Sequence, residues 1–412
     1  MNILRFFFRK LVLITFFCLL HNYFYAQDNT VVNKGIVSVQ AGTDNIILSD
    51  FVNESTANFV NDGNVVYKGN FSNAGNFAFN EMYEGVVNFE GEEQQVLTLN
   101  TSADFKNIIF NNASTQPAFD LTGDMYVFGE ADFYKGIVNL NSGGVFFDEN
   151  ATHINEDDDS HVDGVCIRFG ESEFDFPVGG NSYLREASIS SSEDVNSIFS
   201  AEYFYENSDL LFPHSNRDPK IALIDNTEYW TVDKLDGNNN VILTLSWHTN
   251  TTPSDITSLN EGEEIHIVRW DANSGKWIDE GGIMNTSSKT VSTPIQIGAY
   301  GVFTLAKVYV STDVIVYNAI TPDSNGKNDY LIIEGLENYP NNTLSVFNRW
   351  GRIVYKTQSY NTANNIFNGY ANVNTVLNNE LASGTYFYVL EYKNAAGNSE
   401  KKTGFLYLNE RN

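Results

Sequence analysis

Hydrophobic and polar residues alternate in short bursts along most of this chain, and asparagine or glycine closes each burst. "FVNDGNVVYKGN" (59–70) and "FSNAGNFAFNEM" (71–82) align without gaps, matching Phe59 with Phe71, Asn61 with Asn73, Gly63 with Gly75 and Asn64 with Asn76. Val65 and Tyr67 then match Phe77 and Phe79, the alternation of a half-buried strand behind an Asn/Gly turn. Weaker echoes follow in "GVVNFEG", "FKNIIFNNAS", "MYVFGEADF" and "GIVNLNSGGVFF". Short strands at near-regular spacing predict β-solenoid-like repeats over 27–164, because a coil of such strands buries its inner face on the next coil. A plain antiparallel meander would show the same local alternation, and one clean repeat does not separate the two.

The acidic run "NEDDDSHVDG" (155–164) reads as a junction. Beyond it the strands lengthen and tryptophan appears: "AEYFYEN", "TEYWTV", "VILTLSW", "EEIHIVRW", "KWIDEGG" and "GVFTLAKV" predict a β-sandwich over 165–308. Strand patterns recur over 309–412 in "DVIVYNAI", "YLIIEG", "TLSVFN", "RIVYKT", "GTYFYVLEY" and "TGFLYL". In "NRWGRIVY" (348–355) the pattern predicts a hairpin whose turn carries Gly351 and whose second strand is half buried. No helix of ordinary length is expected after the first 26 residues, so the fold class is all-β.

Those 26 residues change the expected compartment. "MNILRFFFRKLVLITFFCLLHNYFYA" has a basic start, an apolar stretch from Leu11 to Leu20, and a cut expected after Ala26. The apolar stretch suits a signal peptide and is shorter than the roughly 20 residues of a spanning helix, so no transmembrane segment is expected after cleavage. Removal takes Cys18 with it and leaves Cys166 as the sole thiol, which excludes an intramolecular disulfide.

Formal net charge is −28, unevenly spread. From Tyr309 onward eight Lys/Arg oppose nine Asp/Glu, and the leader carries +3, so 27–308 holds −30. Such a surface repels phosphate backbones and argues against nucleic acid as a partner. It also raises the expectation of calcium at Asp157, Asp158, Asp159 and Asp163, since hard cations gather carboxylate oxygens. His153 and His161 lie close by in sequence, although a solvated acidic loop explains the same residues.

Catalytic signatures are missing: G-x-S-x-G, H-E-x-x-H, C-x-x-C and the Walker loop do not occur. A lyase of acidic sugars needs cations at its site, yet 27–165 holds four lysines, no arginine and twenty-two acids. Glycoside hydrolysis needs only two carboxylates at a suitable separation, and nothing in the sequence singles out a pair. Trp230, Trp247, Trp270 and Trp277 fall in the central segment, where they either face sugars or fill a core; alternation with Val and Ile favours the core. No catalytic residue, resident cofactor or enzymatic activity is expected.

The last hundred residues carry specific motifs in a fixed order: "NAITPDSNGKND", "EGLENYPNNTLSVFNRWGRIVYKTQSY", "FNG", "LASGTYFYVLEY" and "KTGFLYLNE". Together they resemble the gliding motility-associated C-terminal domain of Bacteroidetes, the type B sorting domain of the type IX secretion system. By position, Asn318, Thr321, Pro322, Gly326, Asn328 and Asp329 match the family's N-x-x-T-P-x-x-x-G-x-N-D loop. Asn348, Arg349, Trp350 and Gly351 match its N-R-W-G, and Gly384, Thr385, Tyr386, Phe387 and Tyr388 its G-T-Y-F-Y strand. Two departures stand out: the first loop moves its acid to Asp323, and the usual Trp-Asp-Gly becomes Phe367-Asn368-Gly369 followed by an insertion.

The resemblance implies an Ig-like β-sandwich over 309–412 that hands the protein to the type IX secretion machinery, by way of the periplasm, for release or display outside the outer membrane. The central motifs "FPVGGNSYLREASIS", "FSAEYF", "EYWTV" and "VRWD" are similar, more loosely, to segments preceding such domains in Bacteroidetes surface proteins. The expectation is an adhesin-like exported protein with an extracellular glycan or surface ligand; a polysaccharide-binding or polysaccharide-degrading cargo is the alternative.

Overall fold

The computed structural model describes residues 30–310, 314–323, 327–360, 365–373, 380–393 and 397–409; the leader and Gly326 lie outside them. The chain is all-β and opens with a solenoid of about six turns. Its strands pair in parallel on three faces, which excludes the meander. The first face runs through Val31–Asn33, Phe51–Asn53, Phe71–Asn73, Gln95–Leu99, Phe119–Thr122, Val138–Ser142 and Val162–Asp163. The third runs from Asp44–Ile47 to Thr152–Ile154. The second begins at Ile36–Val39 and, after Asn76–Ala78, is taken up by Ala103–Phe105 and its successors.

Coils hold together through columns of like residues. Phe51 stacks on Phe71 at 5.6 Å between ring centroids, Phe59 on Phe77 at 5.0 Å and Tyr67 on Phe89 at 5.6 Å. At the corner between first and second faces, Asn33 Nδ2 donates to Asn53 Oδ1 at 2.9 Å, and Asn53 Nδ2 to Asn73 Oδ1 at 2.8 Å. The same Nδ2 atoms also donate to the carbonyls of Asn58 and Asn76, one coil on. Backbone oxygens at the corner thereby gain side-chain donors. Gly75 follows that corner because a Cβ there would sit 2.4 Å from the carbonyl oxygens of Ala57 and Glu54.

The sequence repeat therefore reports a corner, not a coil. Phe59 and Phe71, aligned above, lie on different faces; the coil mate of Phe71 is Phe51 and that of Phe59 is Phe77. What repeats at 51–53, 59–61 and 71–73 is Phe-x-Asn, an inward ring followed by a corner amide.

The second face does not stop at the expected junction. Cys166–Phe169 pairs in parallel with Val145–Phe147 and antiparallel with Ile198–Phe204. The sheet then continues through Tyr229–Asp236, Gly301–Tyr309, Glu263–Asp271 and Lys276–Gly281. A second sheet, Phe174–Phe176, Ala187–Ile189, Leu243–Ser246, Thr290–Ser292 and Ile283–Asn285, shares its core. Leu243, Leu245 and Val291 cluster with Trp230 and Phe303 and also with the solenoid's Phe147 and Val162, so sheet and core both run unbroken through 164–165.

A buried ion pair ties the two sheets. Arg185 Nε and Nη2 donate to Glu228 at 3.0 and 2.9 Å, Tyr203 Oη donates to Glu228 at 2.7 Å, and Trp230 Nε1 donates to the Arg185 carbonyl at 2.8 Å. Trp230 and Trp277 are fully buried, and half-buried Trp270 packs edge-on against Trp277, as core-filling tryptophans do. Cys166 is a free, buried thiol.

The buried amide ladder predicts a graded response. Asn53→Ala removes both donor and acceptor at a fully buried corner and should destabilise the chain by roughly 1–3 kcal/mol. Asn64, whose bond to Asp44 is exposed, should lose less than about 0.5 kcal/mol on the same change. Urea denaturation of both variants checks this; equal losses would mean that the ladder holds nothing.

Candidate functional site

The C-terminal module has a core of its own. Its five-stranded sheet runs in the order Ala319–Ile320, Ser399–Leu408, Gly384–Lys393, Asn342–Phe347 and Ile353–Gln358. Ile320, Leu344, Val346, Tyr388 and Leu406 form a cluster separate from that of the body. Tyr360 clamps the loops, donating from Oη to the Leu331 carbonyl at 2.6 Å and accepting from Phe367 N–H at 3.1 Å. Phe367, which stands where a tryptophan is usual, is fully buried and packs 5.1 Å from Tyr355.

The motif residues fall into three groups. Thr321 N–H donates to the Asn328 carbonyl at 2.7 Å and closes the first loop, with Asn328 at φ +55° and Pro322 buried. Exposed Asn318 accepts from Tyr407 N–H at its carbonyl, and Asp329 is half buried. In the strand, Tyr386 and Tyr388 enter the module core, while Thr385 and Phe387 point the other way and Gly384 is exposed.

At the hairpin, Asn348 Oδ1 accepts from the N–H groups of Trp350 and Arg352 at 3.1 and 3.0 Å, so the asparagine builds the turn. The guanidinium of Arg349 lies 4.4 Å over the Trp350 ring, which is 39% exposed. Gly351 takes φ +73°, and a Cβ there would come within 2.8 Å of Gln296. The hairpin therefore meets the body at Gln296 and Ile242.

Elsewhere the seam combines ion pairs with apolar side chains, Ile265, Ile283 and Met284 of the body lining one pocket with Val316, Tyr388 and Phe405 of the module. Arg352 pairs with Glu193, and Lys220 Nζ with Glu400 at 2.7 Å. The exposed Arg352–Glu193 pair contributes about 0–1 kcal/mol, whereas Glu400 of the second pair is half buried. Glu193 and Gln296 escape sequence reasoning, because only the fold brings them to residues far along the chain.

Next to the hairpin lies a cleft of about 820 Å³. The last solenoid corner, the outer face of the second sheet and the module's Arg349 and Phe387 enclose it. His153 Nδ1 pairs with Glu156 at 3.0 Å, and His153 Nε2 contacts the Asp175 carbonyl. Burial alone would lower the His153 pKa, but Glu156 overcomes it and holds the ring above its usual value; Glu156 in turn titrates below its own. Glu186, beside this group, is pushed up to about 7 by burial and by the charges of Asp175 and Glu156.

The expected calcium ligands do not converge. Asp157 Oδ1 accepts from Asp159 N–H and caps its own loop, while Asp158 Oδ1 accepts from Leu184 N–H on a neighbouring hairpin. Burial raises the pKa of the Asp163 carboxyl. Among the described residues no group of three His, Cys, Asp or Glu is placed to hold a metal.

Residues 314–408 match the family model of the CHU_C type IX secretion signal domain. The C-terminal family expected from the motifs is thus the one found, and it implies handling by the type IX secretion machinery and export to the cell surface or beyond. No curated protein and no solved structure matches the chain. No helix among the described residues is long and apolar enough to cross a membrane.

Exposure at the hairpin sets its stability. Trp350→Ala should lower the unfolding free energy by about 1–2 kcal/mol, the loss of a partly exposed ring and its cation–π partner. Trp230→Ala, in the body core, should lose roughly 3–5 kcal/mol. Guanidinium denaturation of the two variants checks the difference, and equal losses would place the Trp350 ring in a buried site.

Proposed function

We propose that the protein is a non-enzymatic, adhesin-like exported protein that reaches the cell surface or medium through residues 309–412. In this reading 1–26 is a cleaved signal peptide that leads into the periplasm, 27–164 a solenoid, 165–308 a β-sandwich and 309–412 an Ig-like sorting domain. The observation that carries it is the type IX secretion signal domain match over 314–408, on a module whose core is separate from the body. A solenoid fused to the central sheets suits display, with the module riding on it as a separate core.

Polysaccharide binding is the second reading. The outward aromatics do not favour it: Tyr126 and Phe146 stack face to face at 4.4 Å and close their ring faces on each other. The cleft beside the hairpin is the feature that does.

Deletion of 309–412 should leave the remainder in the periplasm of a type IX-competent host. Arg349→Ala should also reduce export while shifting unfolding by less than about 1 kcal/mol, since an exposed arginine contributes more to recognition than to stability. Fractionation with immunodetection checks both. Unchanged surface or medium levels after the deletion would sink the reading.

A further inference from the structure

The floor of the 820 Å³ cleft is the outer face of the second central sheet. Strand register sets Asp175 opposite Ser188, Ser188 beside Thr244 and Thr244 beside Ser292, and all four line the cleft. Adjacent strands lie about 4.8 Å apart, so Asp175, Ser188 and the Thr244–Ser292 hydroxyl pair, whose oxygens are hydrogen-bonded to each other at 2.7 Å, recur across the floor at a spacing comparable with one pyranose unit. The volume falls within the ~300–1,000 Å³ typical of small-ligand sites.

The walls carry a net negative bias. Arg168 directs its guanidinium to the carbonyls of Asp148, Glu149 and Ala151, and His153 is spent on Glu156. Among the described residues Glu149, Glu173 and Asp175 form no ion pair. Arg349 reaches the rim from the module while stacked on Trp350, so a cationic group is already accommodated there.

A basic peptide is the less suitable occupant. Peptides commonly add to a free strand edge, but the Ala187–Ile189 and Leu243–Ser246 strands are paired on both sides. The edge strand Phe174–Phe176 contacts His153 through its Asp175 carbonyl.

We propose that this cleft binds an amine-bearing oligosaccharide, its hydroxyls meeting the Ser188–Thr244–Ser292 row and its ammonium groups meeting Glu173 and Asp175. The proposal goes beyond the export reading and does not depend on it, because binding is measured on the purified chain.

The test is calorimetric titration of the full mature chain at physiological salt with glucosamine hexamer, N-acetylglucosamine hexamer and hexalysine. The glucosamine hexamer should bind at least about tenfold more tightly than either of the others, as expected for charge-assisted hydrogen bonds. Glu173→Gln and Asp175→Asn, both at exposed positions, should each weaken it about fivefold or more with no change in thermal midpoint. Absence of binding, equal binding of the acetylated hexamer, or unchanged affinity in both variants would overturn the proposal. Hexalysine binding as tightly would overturn it in favour of a basic peptide.

Discussion

A solenoid coil can bury its inward ring only against the next coil, so the stack must end on something that continues its core. Here the far end is closed by a strand that changes partners. Cys166–Phe169 pairs in parallel with the last coil on one side and antiparallel with Ile198–Phe204 on the other. Everything C-terminal to the solenoid is positioned by that change. The central sheets grow from it, their shared core fixes the outer face that floors the cleft, and the module's hairpin rests on the same body at Ile242 and Gln296.

The module is attached differently. Its core excludes the body's core residues, and the seam is built from two ion pairs, a hairpin whose glycine permits close approach, and apolar side chains such as Ile283 and Phe405. Separate cores describe a unit that can be handled by a partner without unfolding the rest. Charge follows the same division: 27–308 carries −30 while the segment from Tyr309 onward is nearly neutral. Repulsion within the body is thus kept away from the part that must be recognised.

What the sequence revealed depended on whether a feature was local. Strand alternation and the Asn/Gly corners were legible, because Phe-x-Asn states an inward ring and a corner amide within three residues. The register of the coil was not, since its 20-residue step pairs Asn33 with Asn53 and Asn53 with Asn73, whereas the gapless alignment joins Phe59 with Phe71 on different faces. Linked motifs were enough to identify the C-terminal family. In the acidic run, carboxylates such as Asp157 and Asp158 accept backbone N–H groups, and composition alone cannot distinguish such caps from ligands. The polar floor around Ser188 was not legible, because the strands that align Asp175, Thr244 and Ser292 with it come from other parts of the chain.

If the module is a self-contained export signal, it should act on a body it has never met. Residues 309–412 joined to the C-terminus of a periplasmically targeted fluorescent protein, in a type IX-competent host, provide the most direct measurement. Reporter fluorescence is expected at the cell surface or in the medium, lost when the secretion machinery is inactivated. Retention of a folded, intact fusion in the periplasm would contradict it.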